Sequence, residues 1–294
     1  MAYGVISESV EDMRREDKDL NYGIVGNNNI VTYEKTNDGR SKRAVMLLFF
    51  CAFILSMVAT VFLYRQDKKQ EKQFEELAKL EEQGRENISY DGSGSIAPAL
   101  PLIDNPDCIG WIKIDGTTVS YPIMQHEGDG EYYLHRDYNG EYSFYGTPFL
   151  DARCTPESDN CIIYGHNINS HKMFGALHAY SDKRYYREHP KIQFRFGEKT
   201  DTYQIVAVIS TSISDHLYDF IDVGNWEEYR EYVGEILDRA SYQTDMGEEI
   251  RTEFISDSPE EFFKRYKFVT LSTCRSWVGR DARLLVVAGK ECGN

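Results

Sequence analysis

The sequence predicts a mainly β domain, a barrel or sandwich with helical insertions, carried behind a single membrane-spanning helix. Short apolar runs recur between turn residues at 111–114, 119–123, 147–150, 161–165, 192–196, 203–210, 268–272 and 284–288, with the length and β-branched content of strands. Only two stretches in the same region read as helices. One starts at 173–177; the other, 226–240, puts Trp226, Tyr229, Val233, Ile236 and Leu237 on one face behind the N-cap candidate Asn225. Many strands with few helices imply a closed or two-layered β architecture. The third observation is the run 44–64, without a charge, which at 1.5 Å per residue matches a bilayer core of about 30 Å.

That run is apolar on every side, whereas a helix at the surface of a globular core keeps a polar stripe. The charged segment ahead of it is too long for the n-region of a signal peptide, so an uncleaved anchor is expected. Basic residues flank both ends, with Lys35, Arg40, Lys42 and Arg43 before it and Arg65, Lys68, Lys69 and Lys72 after it, and charge counting leaves the orientation tied. Residues 1–43 are polar, and their composition predicts a disordered tail. Residues 65–87 are rich in strong helix formers, with Phe74, Leu77 and Leu80 spaced three apart, and read as a charged stalk helix. Gly, Ser and Pro at 89–101 mark a linker, which puts the folded domain at 102–294. Within it, Asp115-Gly116 between two strand candidates signals a hairpin.

The net charge of −15 argues against nucleic acid as a partner. Six cysteines in 294 residues are too few for a disulfide scaffold, and none are spaced as CxxC. The acidic loop 127–131 lacks the ligand spacing of a calcium loop, so neither metal nor cofactor is expected. Cys154 and Cys161 bracket a hairpin loop; a disulfide and two free thiols both remain open.

Three residues can carry chemistry. Cys274 closes the apolar strand Val269-Thr270-Leu271-Ser272-Thr273-Cys274, at a strand mouth where a substrate could reach it. A buried thiol is the commoner fate of a lone cysteine beside a strand, and a nearby His or Arg is what makes a thiolate nucleophile. His166 ends Cys161-Ile162-Ile163-Tyr164-Gly165-His166, again at the exit of an apolar strand, with six other histidines competing. Arg283 heads Leu284-Leu285-Val286-Val287-Ala288 and must point to a polar site or to solvent.

The segment TLSTC, an Arg nine residues later opening RLLVVAGK, and NCIIYGHN about a hundred residues upstream resemble the active-site signature of sortases. NPDCIGWIKIDGTTVSYPIMQ, EYYLHRDYNGEYSFYGTPFLD, IIYGHNINSHKMFGALHAY and the helix at 226–240 extend the resemblance to class B sortases over residues 102–290. The resemblance implies a closed β-barrel of about eight strands, with a helix inserted before the last two. It also implies a membrane-anchored cysteine transpeptidase with Cys274 as nucleophile, His166 as proton partner and Arg283 as oxyanion cation. Thr273 would assist through its N–H or hydroxyl. Some class B sortases have an acidic residue two places after the cysteine; Ser276 stands there in this chain.

In the implied reaction the thiolate attacks the Thr carbonyl of a C-terminal sorting signal, of NPxTx or LPxTG type, on a surface protein. An amine of a peptidoglycan precursor or of a pilin then displaces the thiol. The bilayer is the partner of 44–64, the N-terminus is cytoplasmic and the catalytic domain lies outside. The competing expectations are a hydrolytic cell-wall cysteine peptidase and an inactive, membrane-tethered peptide-binding module.

Overall fold

The computed structural model describes residues 21–25, 29–33, 38–88, 105–168, 172–197, 199–274 and 281–292. The chain divides into two units, Met1–Arg65 and Gln66–Asn294. In the first, β1 (Asn21–Val25) and β2 (Asn29–Tyr33) pair antiparallel, Asn21 opposite Tyr33. The tail expected to be disordered thus holds a small ribbon. Ile24, Val25, Ile30, Val31 and Thr32 supply local β propensity that an average over 43 polar residues conceals, although two strands alone are only marginally stable. Helix α1 (Asp38–Ile88) contains both the apolar run and the stalk. Its first part is long and apolar enough to cross a membrane, and Phe49, Leu55 and Phe62 are exposed there.

The second unit is built on a closed barrel. Its strands are β3 (Cys108–Lys113), β4 (Ser120–Met124), β5 (Phe149–Leu150), β6 (Asn160–Tyr164), β7 (Lys191–Phe196), β8 (Lys199–Ser212), β9 (Tyr266–Cys274) and β10 (Ala282–Glu291). Around the barrel they run β3-β4-β5-β6-β9-β10-β8-β7 and back to β3. The β4–β5 and β6–β9 pairings are parallel and the others antiparallel. Closure leaves no edge strand to template aggregation. The β3–β4 hairpin turns where Asp115-Gly116 predicts it: Ile114 N donates to Val119 O at 2.9 Å and Gly116 takes a φ of 75°, a left-handed conformation that costs glycine least.

Ile112, Ile123, Ile162, Ile205, Val269, Leu271 and Val286 fill the core. Between β7 and its predecessor lie a 3₁₀ helix, Phe174–Ser181, and α2 (Lys183–Glu188). A 3₁₀ helix, His216–Tyr218, and three α-helices separate β8 from β9. Helix α3 (Trp226–Asp238) is capped by Asn225, whose side chain accepts from Glu228 N at 3.0 Å, and it buries Tyr229, Val233, Ile236 and Leu237 as its periodicity predicts. Helix α4 (Asp245–Ser256), capped by Thr244, and α5 (Pro259–Phe262) were not legible. The α4 helix is acidic and buries only Met246, Gly247 and Ile250, too few apolar positions to establish a period.

The domain boundary expected at 102 lies earlier, because the stalk is part of the barrel's packing and the second unit begins at Gln66. Phe74 is buried with its ring edge-on to Tyr121, centroids 5.3 Å apart. Gln70 is buried between Ser143 and Gly146, and Glu81 forms a buried ion pair with Arg195. The apolar stripe reads as thin because polar side chains share the docking face, each buried with a partner as burial requires. The 89–101 linker lies outside the described residues.

Docking of α1 predicts that a fragment starting at Ser89 melts well below one starting at Gln66. In the longer fragment Phe74→Ala should cost about 3 to 5 kcal/mol by urea unfolding. Equal melting of the two fragments would contradict the docked arrangement.

Candidate active site

Strand β9 brings the candidate residues together by pairing on both sides. Along β6 it runs parallel, with Ile163 opposite Leu271 and Tyr164 opposite Ser272, and Gly165 N donates to Ser272 O at 3.1 Å. Two residues further along each chain stand His166 and Cys274, so both leave the barrel at the same end. Along β10 it runs antiparallel, and Arg283 is the residue directly opposite Cys274. Directly opposed side chains share a face with Cβ atoms about 5 Å apart. The three residues, each partly buried, line one groove of about 510 Å³ together with Leu134, Phe149, Tyr164, Ile213, Tyr218, Ser272 and Thr273, within the usual size of ligand sites.

His166 is held firmly. Its Nε2–H donates to the Leu134 carbonyl at 2.7 Å, and His135 stacks on the ring with centroids 5.4 Å apart. Burial pushes the imidazole below its ordinary value; the Leu134 carbonyl opposes this and His135 adds to it. The backbone of Cys274 is pinned by His178, whose Nε2–H donates to the Cys274 carbonyl at 2.9 Å. Beneath the cysteine, Ser272 Oγ and Tyr218 OH are 2.8 Å apart.

One wall carries a fixed polar network. Arg153 grips Asp151 with two bonds of 3.0 and 2.9 Å, donates to Tyr218 O at 2.9 Å, and leaves Asp151 free to accept from Tyr164 OH at 2.9 Å. Burial, and then the charge of Asp151, push the Tyr164 phenol up, so that it remains a donor. Thr273 is buried, and its hydroxyl has no hydrogen-bond partner among the described residues. Ser276 lies outside them.

Leu134, His135, His178 and Tyr218 escaped the sequence reading. Only HRD and YGH stand out as polar interruptions near His135 and His166, and nothing in either says that the rings meet. Cys154 and Cys161 are free thiols, with Sγ atoms 3.5 Å from Asn160 O and 3.4 Å from Thr155 O. Burial pushes them up to about 11 and about 12, respectively, so neither is nucleophilic near neutrality. Among the described residues His216, Glu231 and Glu235 bring three possible ligand atoms within 4.8 Å. Glu235 is also bonded by Arg239 at 3.1 Å and lies 2.7 Å from His216 Nε2.

The family profile described as the sortase domain matches residues 112–291, and the chain belongs to the sortase family, whose members are cysteine transpeptidases of the cell surface. Sortase B of Listeria monocytogenes is 29% identical over 188 residues, 63% of this chain and 70% of the relative. Sortase B of Staphylococcus aureus is 24% identical over 250 residues, 84% and 94% of the two chains. The solved Staphylococcus aureus sortase B–substrate complex superposes with a TM-score of 0.64 at 23% identity, covering 78% of this chain and 100% of that one. These relatives place the chain in class B, and the eight-stranded closed barrel is theirs.

His166 should titrate below the ordinary histidine range. His135→Gln should raise its midpoint, because a neighbouring imidazolium no longer opposes the charge of the ring. An NMR titration of the histidine ring protons reads both; an unchanged midpoint would contradict the stacked arrangement.

Proposed function

We propose that this sortase joins a surface protein to an amine through a thioacyl intermediate on Cys274. The observation that carries the reading is the register: Cys274 opposite Arg283, with His166 at the same end of the adjacent parallel strand. The Cys274 thiolate attacks the Thr carbonyl carbon of a sorting signal, of NPxTx or LPxTG type. The carbonyl electrons move to oxygen, and Arg283 supplies the facing positive charge, worth a few kcal/mol when held in advance. As the intermediate collapses the C–N bond breaks and His166 gives its proton to the departing amine. Because Nε2–H is held by Leu134 O, the exchanged proton belongs on Nδ1. A second amine attacks the thioester, His166 recovers a proton, and the thiolate leaves. Two acyl transfers replace one difficult amide exchange.

The acceptor on this reading is an amine of a peptidoglycan precursor or of a pilin. The chain is a single-pass protein anchored through 44–64, with 1–43 cytoplasmic and the catalytic domain outside. The family's surface role supports that orientation, since the flanking charges are balanced. Thr273 assists from beside the nucleophile, through its N–H or hydroxyl.

A panel of sorting peptides offered with and without candidate amines, with products identified by mass, tests the chemistry. Cys274→Ala should abolish turnover, His166→Ala should nearly do so, and Arg283→Ala should lower it by about a hundredfold or more. Full transpeptidation by Cys274→Ala would end the enzymatic reading, and products formed only with water would favour a peptidase. Protease added to intact protoplasts should remove the catalytic domain; digestion of the tail alone would reverse the orientation.

A further inference from the structure

We infer that residues 66–74 of α1 are a positioning element for His166, gripping from outside the barrel both chain segments that hold the imidazole. The inference rests on the catalytic role of His166 proposed above and adds to it the groups that fix the ring.

The first segment runs from Leu134 to Thr147. It supplies the Leu134 carbonyl that takes the ring N–H and the His135 ring that stacks on it. Four bonds tie it to α1: Gln66 Nε2 donates to Tyr142 O at 2.7 Å, Lys69 pairs with Glu141 at 2.7 Å, Gln70 Nε2 donates to Gly146 O at 2.8 Å, and Ser143 Oγ donates to Gln70 Oε1 at 2.6 Å. Lys69 and Glu141 are exposed and add little. Gln70 is only 4% exposed, and its two bonds are the ones that matter. Gly146 carries the link inward. Its φ is 59°, and a Cβ there would collide with the Leu134 carbonyl oxygen. The backbone that Gln70 holds therefore rests against the atom that orients His166, and Ser143 N donates to His135 O at 3.0 Å.

The second segment leaves the barrel at His166 and folds back on itself. Asn167 bridges Met173, and Phe174 N donates to His166 O at 3.0 Å. Helix α1 reaches it twice. Asp67 pairs with Lys172 at 2.7 Å, both partly buried, with Glu71 at 3.6 Å from the same ammonium. Phe74 packs on Tyr121, whose hydroxyl accepts from Met173 N at 3.0 Å. A ring held on both sides by one rigid helix has little freedom to drift from the nucleophile, and a displacement of about 1 Å in such a group can cost on the order of a hundredfold in rate.

Kinetics of the full chain in detergent test this. Gln70→Ala and Lys172→Met should each lower kcat by about tenfold or more while KM stays near that of the wild type, as expected when alignment and not substrate binding is lost. Lys172→Arg, which keeps the pair with Asp67, should restore kcat, and Lys72→Ala on the solvent face of the helix should change nothing. Circular dichroism checks folding. Should Gln70→Ala fail to fold, Lys172→Met and its arginine counterpart decide alone, since that side chain is partly exposed and fills no core. Wild-type kcat in Lys172→Met, with His166→Ala inactive, would overturn the positioning role and leave the site intact. Activity in His166→Ala would instead refute the site on which it rests.

Discussion

The pairing of β9 with two neighbours at once is the constraint on which the site depends. Closing the barrel requires β9 to lie parallel to β6 and antiparallel to β10. A shift of one residue in either ladder would turn every side chain to the opposite face. In that register Val269 and Leu271 share a face with Ala288 and Val286, all buried, while Thr270 and Ser272 turn to the other face, so the apolar alternation of β9 favours it. Cys274, His166 and Arg283 sit just where these apolar runs end, and the packing energy of the strands fixes the rim. The proposed chemistry needs the three groups at one rim, and the strand pairing supplies that.

Support for the rim comes from elements that never enter the groove. His178 holds the Cys274 carbonyl, Leu134 and His135 hold the His166 ring, and Arg153 with Asp151 stiffens the wall near Tyr218. Behind them the docked part of α1 buries Gln70 and Glu81, whose partners Ser143, Gly146 and Arg195 all belong to the barrel unit. Breaking a buried ion pair by removing one partner leaves an uncompensated charge, so Glu81 ties the helix to the domain despite being polar. A cavity of about 280 Å³ lies between this helix and the barrel, lined by Gln70, Phe74, Tyr121 and Lys172, and none of the three site residues reaches it.

Local patterns made much of this readable. The eight strands follow from β-branched runs, the β3–β4 turn from Asp115-Gly116, and α3 from its apolar period, and the motifs around Cys274, His166 and Arg283 resembled the family to which the chain belongs. Contacts between distant segments were not readable. The β6–β9 ladder joins Asn160 to Phe268, and no local property of either says that they meet. For the same reason His135 looked like one of six competing histidines. The stalk misled in a different way: Gln70 and Glu81 mark solvent faces in a sequence, and only their partners show them to be buried. In α4 the acidic surface hid a short apolar face, and in the tail the polar average hid a β-branched pair of strands.

The proposed mechanism requires an acyl group attached to Cys274. The most direct measurement incubates the enzyme with a sorting-signal peptide in the absence of amine, quenches in acid, digests, and locates the added mass. The expected result is a thioester on the peptide containing Cys274, carrying the fragment that ends in Thr and discharged when an amine is added. Product formation with the acyl group on another residue, or with no covalent intermediate under conditions that trap thioesters, would contradict it.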